Sequence, residues 1–138
     1  MMGVNDGTNR VYGALESYSH YADAFITLKK EFPNSHFFYC SVNPVDAKYR
    51  LDGHRRNLRL HLNADDFNAV IDEFNEGVKK GCTETEYLDC SHDLGPDSFV
   101  TTDGLHYTEA TYRTIYAYLT SEVVRRIHAA DTPSVPQS

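Results

Sequence analysis

Tryptophan is absent from this chain, and cysteine is scarce, with only Cys40, Cys82 and Cys90. Three thiols at irregular spacings make neither a disulfide framework nor a zinc knuckle, and an odd count leaves at least one unpaired. Cys40 lies in an apolar run and reads as a small packed hydrophobe, whereas Cys82 and Cys90 flank a short strand and are the two that a bridge would join, so the redox compartment stays open. No apolar run approaches the roughly 20 residues needed to cross a bilayer, and no basic-then-apolar leader pattern opens the chain. Basic residues are outnumbered by acidic ones, 13 against 20, and the formal net charge of −7 works against nonspecific attraction to nucleic-acid phosphates or anionic lipid. Neither nucleic acid nor a membrane is therefore an expected partner. Repeats and domain linkers are also missing, so residues 1–130 read as one domain and residues 131–138, rich in Pro and Ser, as a loose tail.

What is present is an alternation of two hydrophobic periods. Leu15, Tyr18, Ala22, Phe25 and Leu28 recur at helical spacing over residues 14–32, with Lys29 and Lys30 near the end and Pro33-Asn34 as the stop. The run HFFYCSV, residues 36–42, reads as a buried strand before the Asn43-Pro44 break. A second helix begins near Asp65 or Asp66, carries Phe67, Val70, Ile71, Phe74 and Val78 at steps of three and four, and ends at Lys79, Lys80 and Gly81. Tyr87 and Leu88 make a brief last strand. In a final helix Tyr112, Ile115, Tyr116, Leu119, Val123 and Ile127 are expected to face inward, with Arg125, Arg126 and His128 favouring its C-terminal end. Such alternation predicts an α/β fold, a three-layer α/β/α sandwich around a parallel sheet.

Between the first strand and the second helix, residues 46–65 turn polar and basic, with Arg50, Arg55, Arg56, Arg59, His54 and His61 crowded together. This reads as an insertion or lid bordering a pocket. Arg55 and Arg56 are candidates to meet an anionic group of a substrate, although solvated surface charge has the same appearance. His54 and His61 lack a convincing third ligand, so no metal site is expected.

Chemistry concentrates in TTDGLHYTEATYR, residues 101–113, where an acid and an imidazole stand three apart in a loop that runs into a helix. Gly104 permits a tight path, so Asp103 can turn back to accept a hydrogen bond from one ring nitrogen of His106, fixing the tautomer and leaving the other nitrogen to take a proton. That is the base-and-orienter half of a hydrolytic triad. Thr108 reads as the N-cap of the following helix, Glu109 as first-turn charge, and Tyr107 with Tyr112 as a hydrophobic staple. A turn aspartate followed by an incidental histidine would look the same from spacing alone.

Asp103-x-x-His106 before the last helix, together with the early Gly3-Val4-Asn5-Asp6 and the segment HFFYCSVNPV between them, resembles the SGNH (GDSL) hydrolase family of serine esterases. The resemblance runs over nearly the whole chain to about Val124. It implies the flavodoxin-like version of the sandwich, no cofactor, a carboxylic ester of a small molecule, carbohydrate or lipid as substrate, His106 and Asp103 as catalytic residues, and Asn5 as an oxyanion donor. Asn5 by itself is also an ordinary turn asparagine. The family's nucleophilic serine lies in a Gly-Asp-Ser block ahead of Gly-x-Asn-Asp, and here Gly3 already belongs to the later motif. The reading is thus of an N-terminally truncated domain, with its serine and first strands in a missing segment. An exposed sheet edge would then offer self-association or pairing with that segment. The alternative is a non-catalytic binding or assembly module that keeps the fold without the nucleophile. Asn5, Asp103 and His106 are expected in one cleft at the carboxyl edge of the sheet.

Overall fold

The structure, a computed structural model, describes residues 17–46, 48 and 64–131. Helix α1 (Ser17–Glu31) turns Phe25 into the interior and half-buries Tyr21 and Ala22, while Lys29 and Lys30 occupy its last turn, where cations suit the negative end of the helix dipole. Helix α2 (Ala64–Lys79) begins with Asp65 and Asp66 in the first turn and ends with Lys79, matching the dipole at both ends. Its apolar stripe is the main core: Phe67, Ile71, Phe74 and Val78 are buried with Val42, Val45 and Tyr87. Tyr21 of α1 reaches this cluster edge-on, its ring 5.8 Å from that of Phe74 and 6.0 Å from that of Tyr39.

Strands β1 (Tyr39–Cys40) and β2 (Tyr87–Leu88) pair in parallel, Tyr39 opposite Tyr87 and Cys40 opposite Leu88. After β2 come a short helix α3 (Cys90–Leu94), a 3-10 turn (Pro96–Ser98) and the long helix α4 (Glu109–Asp131). Side chains alternate across a strand, so the ribbon feeds two cores. Tyr39 and Tyr87 join the α2 side, while Cys40 packs against a second cluster of Cys90, Phe99 and Tyr107 that Ile115 and Tyr118 of α4 help to cover.

The expected three-layer α/β/α sandwich around a parallel sheet is overturned. Among the described residues the chain is mostly helical, and its sheet has only two strands. The reason is visible at the strand that was expected over residues 36–42. Only Tyr39 and Cys40 find a ladder, because β2 is bounded by the turn at Thr83–Glu86 and by the start of α3. Ser41 N–H still reaches the Leu88 carbonyl at 2.9 Å, and from Val42 the backbone is claimed by α2. Asn75 accepts from the Val42 N–H at 2.8 Å and donates to the Val42 carbonyl at 2.9 Å. Asn68 does the same for Val45, at 2.9 and 2.8 Å. Two carboxamides, seven residues and so about two helical turns apart, stand where a strand's peptide groups would otherwise stand. Replacing Asn75 with alanine leaves a buried N–H and C=O unpaired and should cost about 2 kcal/mol, read as a lower midpoint in urea denaturation.

Helix α4 also departs from expectation. Ile115, Leu119, Val123 and Ile127 are half-buried as predicted, but Tyr112 and Tyr116 are 49% and 72% exposed. The inward stripe contains the polar pair Glu122 and Arg126 instead. Arg126 donates from Nε to Glu122 and from Nη1 to the carbonyls of Thr85 and Tyr87 at 2.9 and 2.7 Å, tying α4 to the outer side of β2. The basic residues assigned to the helix end by charge alone thus divide, Arg126 acting as a backbone clamp and Arg125 pairing with Glu122 at the surface. All three cysteines are free thiols, with Cys82 packed on the first cluster and Cys90 buried in the second, so Cys82 and Cys90 do not pair. Among the described residues no helix is long and apolar enough to cross a membrane.

Candidate active site

The loop carrying Asp103 and His106 is closed at its base by an antiparallel bridge between Thr101 and Tyr107. Thr102 N–H donates to the His106 carbonyl at 2.8 Å and Thr108 N–H to the Val100 carbonyl at 2.9 Å. Between these rungs the chain reverses at Gly104, whose φ of 96° lies in the left-handed region open to glycine. The two residues flanking His106 are anchored in different cores. Leu105 packs against the α2 cluster and Tyr107 is buried in the second cluster, donating its phenol hydrogen to the Pro44 carbonyl at 2.6 Å. With its neighbours held on either side, His106 is left facing solvent, its side chain 69% exposed.

Asp103 folds back over this turn as its sequence suggested. Oδ1 accepts the backbone N–H of His106 at 2.7 Å and of Leu105 at 2.9 Å, and Oδ2 lies 2.5 Å from Nδ1 of His106. These bonds, the His106 backbone amide first, hold the Asp103 carboxyl far below the usual carboxylate range. An ionised carboxylate only accepts, so in the neutral ring Nδ1 carries the proton and Nε2 presents a lone pair. Nε2 has no bonding partner among the described residues. The arrangement can therefore take up a proton at Nε2 while Asp103 stabilises the resulting imidazolium.

The helix that follows fixes the site's outer wall. Thr108 caps α4, its Oγ1 accepting the Thr111 N–H at 3.3 Å, and the rings of Tyr107 and Tyr112 meet edge-on at 5.7 Å as the staple predicted. Replacing Thr108 with alanine should cost about 1 kcal/mol, seen as a lower thermal midpoint with the helix content of the folded state unchanged. The loop rests on the segment that leaves the carboxyl end of β1, through Tyr107 to Pro44 and through the Asp46 N–H to the Gly104 carbonyl at 3.0 Å. Asp103 and His106 thus stand in one loop at that end of the ribbon.

Asn5, Arg55 and Arg56 lie outside the described residues, as do His54 and His61. None of the hydroxyls of Ser41, Ser91 and Ser98 bonds His106: Ser41 accepts from the Ser91 N–H, Ser91 reaches Asp89, and Ser98 donates to the Leu94 carbonyl. No cluster of three or more His, Cys, Asp or Glu residues suited to a metal ion occurs among them either. The residues that pin the loop from a distance, Pro44, Asp46 and Thr101, were not singled out from sequence. Their signal was weak, a polar Thr-Thr-Asp run and a strand exit at Asn43-Pro44, since each contact spans tens of residues. Compared with protein-family models, curated proteins and solved structures, the chain matches none.

Proposed function

We propose that Asp103 and His106 are the orienting acid and the general base of a serine esterase of the SGNH (GDSL) type, acting on a carboxylic ester of a small molecule, carbohydrate or lipid. The observation that supports this most is the 2.5 Å contact of Asp103 Oδ2 with His106 Nδ1, with Nε2 open to solvent. In this reading the nucleophilic serine belongs to a segment preceding Gly3. Its hydroxyl attacks the ester carbonyl as Nε2 takes the proton, and the imidazolium then protonates the departing alkoxide. Water, activated by the same nitrogen, releases the acid and restores the serine. Asp103 stays ionised throughout. Asn5 supplies an oxyanion donor, a role worth about 3 kcal/mol in such sites, and Arg55 and Arg56 border the substrate without entering the chemical step. The edge of β1 away from β2, where Phe38 and Cys40 present their backbone groups, is where the serine-bearing segment pairs.

Purified chain should show no turnover of a short-acyl aryl ester above buffer and no adduct with a serine-directed phosphonate. Joined to its preceding coding sequence it should gain both, with the adduct on a Gly-Asp-Ser serine, and His106→Ala should abolish the turnover. A phosphonate adduct on a serine within these 138 residues, accompanied by turnover, would overturn the assignment of the nucleophile. An upstream sequence without such a serine, and without turnover, would make the protein a binding or assembly module.

A further inference from the structure

We propose that Asp46 is a positioning residue for His106, acting through Thr101 and Gly104 to set the turn that brings the Asp103 carboxylate onto the imidazole. This rests on reading Asp103 and His106 as the catalytic pair. Two separate contacts support it. The Asp46 backbone N–H donates to the Gly104 carbonyl at 3.0 Å, and the Asp46 carboxylate Oδ2 accepts the hydroxyl hydrogen of Thr101. Oδ1 of the same carboxylate accepts the Lys48 N–H at 2.7 Å, which keeps it from rotating away.

The orientation of the Thr101 hydroxyl is the working part. A hydroxyl can donate or accept, and which it does toward a neighbour depends on where its hydrogen is committed. A carboxylate only accepts, so Asp46 draws the Thr101 hydrogen toward itself and leaves the oxygen's lone pairs to the Gly104 N–H, which donates to Oγ1 at 2.8 Å. Both ends of the Gly104 residue are then fixed, its N–H through Thr101 and its carbonyl through the Asp46 backbone. Gly104 joins Asp103 to Leu105 at the one left-handed residue of this loop. Fixing it sets where the Asp103 carboxylate lies against the three hydrogens it accepts, from the amides of Leu105 and His106 and from Nδ1. Thr101 is buried, so a misdirected hydroxyl there leaves the Gly104 N–H without a good alternative.

The test reads the ring directly. In the full chain labelled with nitrogen-15, the neutral His106 imidazole should be almost wholly the Nδ1–H tautomer. In Asp46→Ala that share should fall by about half or more, toward the mixture of an unrestrained imidazole. Thr101→Val should do the same, while Thr101→Ser, which keeps the hydroxyl, and Asp46→Asn, which keeps an acceptor, should stay near the unmutated chain. A folded Asp46→Ala whose tautomer is unchanged would overturn the proposal. Should that variant not fold, Thr101→Val is judged by the same criterion. If neither folds, the Thr101 hydroxyl proton of the unmutated chain decides, because slow exchange with water supports the contact and fast exchange refutes it. An unchanged tautomer leaves the esterase reading standing, and absent turnover in the serine-bearing form leaves the tautomer result standing.

Discussion

Under the proposed esterase mechanism, Asp103→Asn should reduce kcat of a serine-bearing form by about 10⁴-fold while leaving KM for an aryl ester nearly unchanged. The expected loss follows from which atom each hydrogen bond selects. Oδ1 of Asp103 accepts two backbone N–H groups, so an asparagine in its place keeps its carbonyl oxygen on that side and turns its NH2 toward His106. The amide then donates to Nδ1, the ring proton moves to Nε2, and the nitrogen that should take the serine proton is already occupied. Steady-state kinetics and the nitrogen-15 pattern of His106 should change together. A variant that retains its rate within tenfold would show that Asp103 does not select the tautomer.

The same bonds fix the pH dependence. Asp103 is held below the ordinary aspartate value near 4, so its contribution to the order of the loop is present above that value and is lost only as pH falls through the lowered folded pKa. Its carboxyl carbon should therefore still report an ionised group at about pH 3, where an unrestrained aspartate is largely protonated.

The second large effect is on stability. Phe67→Ala should cost about 4 kcal/mol, because Phe67 is 0% exposed and stands at the middle of the cluster formed by Val42, Val45, Ile71, Phe74, Val78 and Tyr87. A domain of this size has roughly 5–15 kcal/mol in total, so the variant should sit close to its unfolding transition. Urea denaturation followed by circular dichroism measures the loss, and a value under about 1 kcal/mol would mean that the cavity collapses and that neighbouring side chains refill it. Leu105 packs on this cluster, so the variant should also loosen the turn at Gly104 well before the chain unfolds.

Helix α2 was legible because its buried residues follow one period, and Phe67, Ile71, Phe74 and Val78 are all inside as that period requires. The turn at Asp103 was legible because every group in it lies within three residues, where a glycine and an acid leave few geometries. The extent of the sheet was not legible. An apolar run says that a segment is buried, but a ladder needs a partner, and here Asn75 and Asn68 take the backbone at Val42 and Val45. Neither asparagine stands out in the sequence, although their spacing of seven keeps them beside the apolar stripe. Tyr112 and Tyr116 misled for the complementary reason: Arg126 reaches the carbonyls around β2 and so rotates α4 to bury a polar pair where tyrosines were expected. Asn5, Arg55 and Arg56 fall outside the described residues; the role of Asn5 rests on the resemblance, and that of Arg55 and Arg56 on the basic composition of their segment.

The amide pairs on Val42 and Val45 bear on how this protein behaves when it is damaged. A strand with open peptide groups is a template onto which a second polypeptide can add, and that is the first step of many aggregates. At Val42 and Val45 the template is closed by side chains of α2 rather than by another strand, so there it opens only when α2 departs. Loss of the helix and exposure of this stretch of backbone are then one event rather than two. Conditions that loosen α2 should produce insoluble chain in proportion to how far the amides have withdrawn, and solubility on heating should follow the integrity of this helix more closely than that of α1.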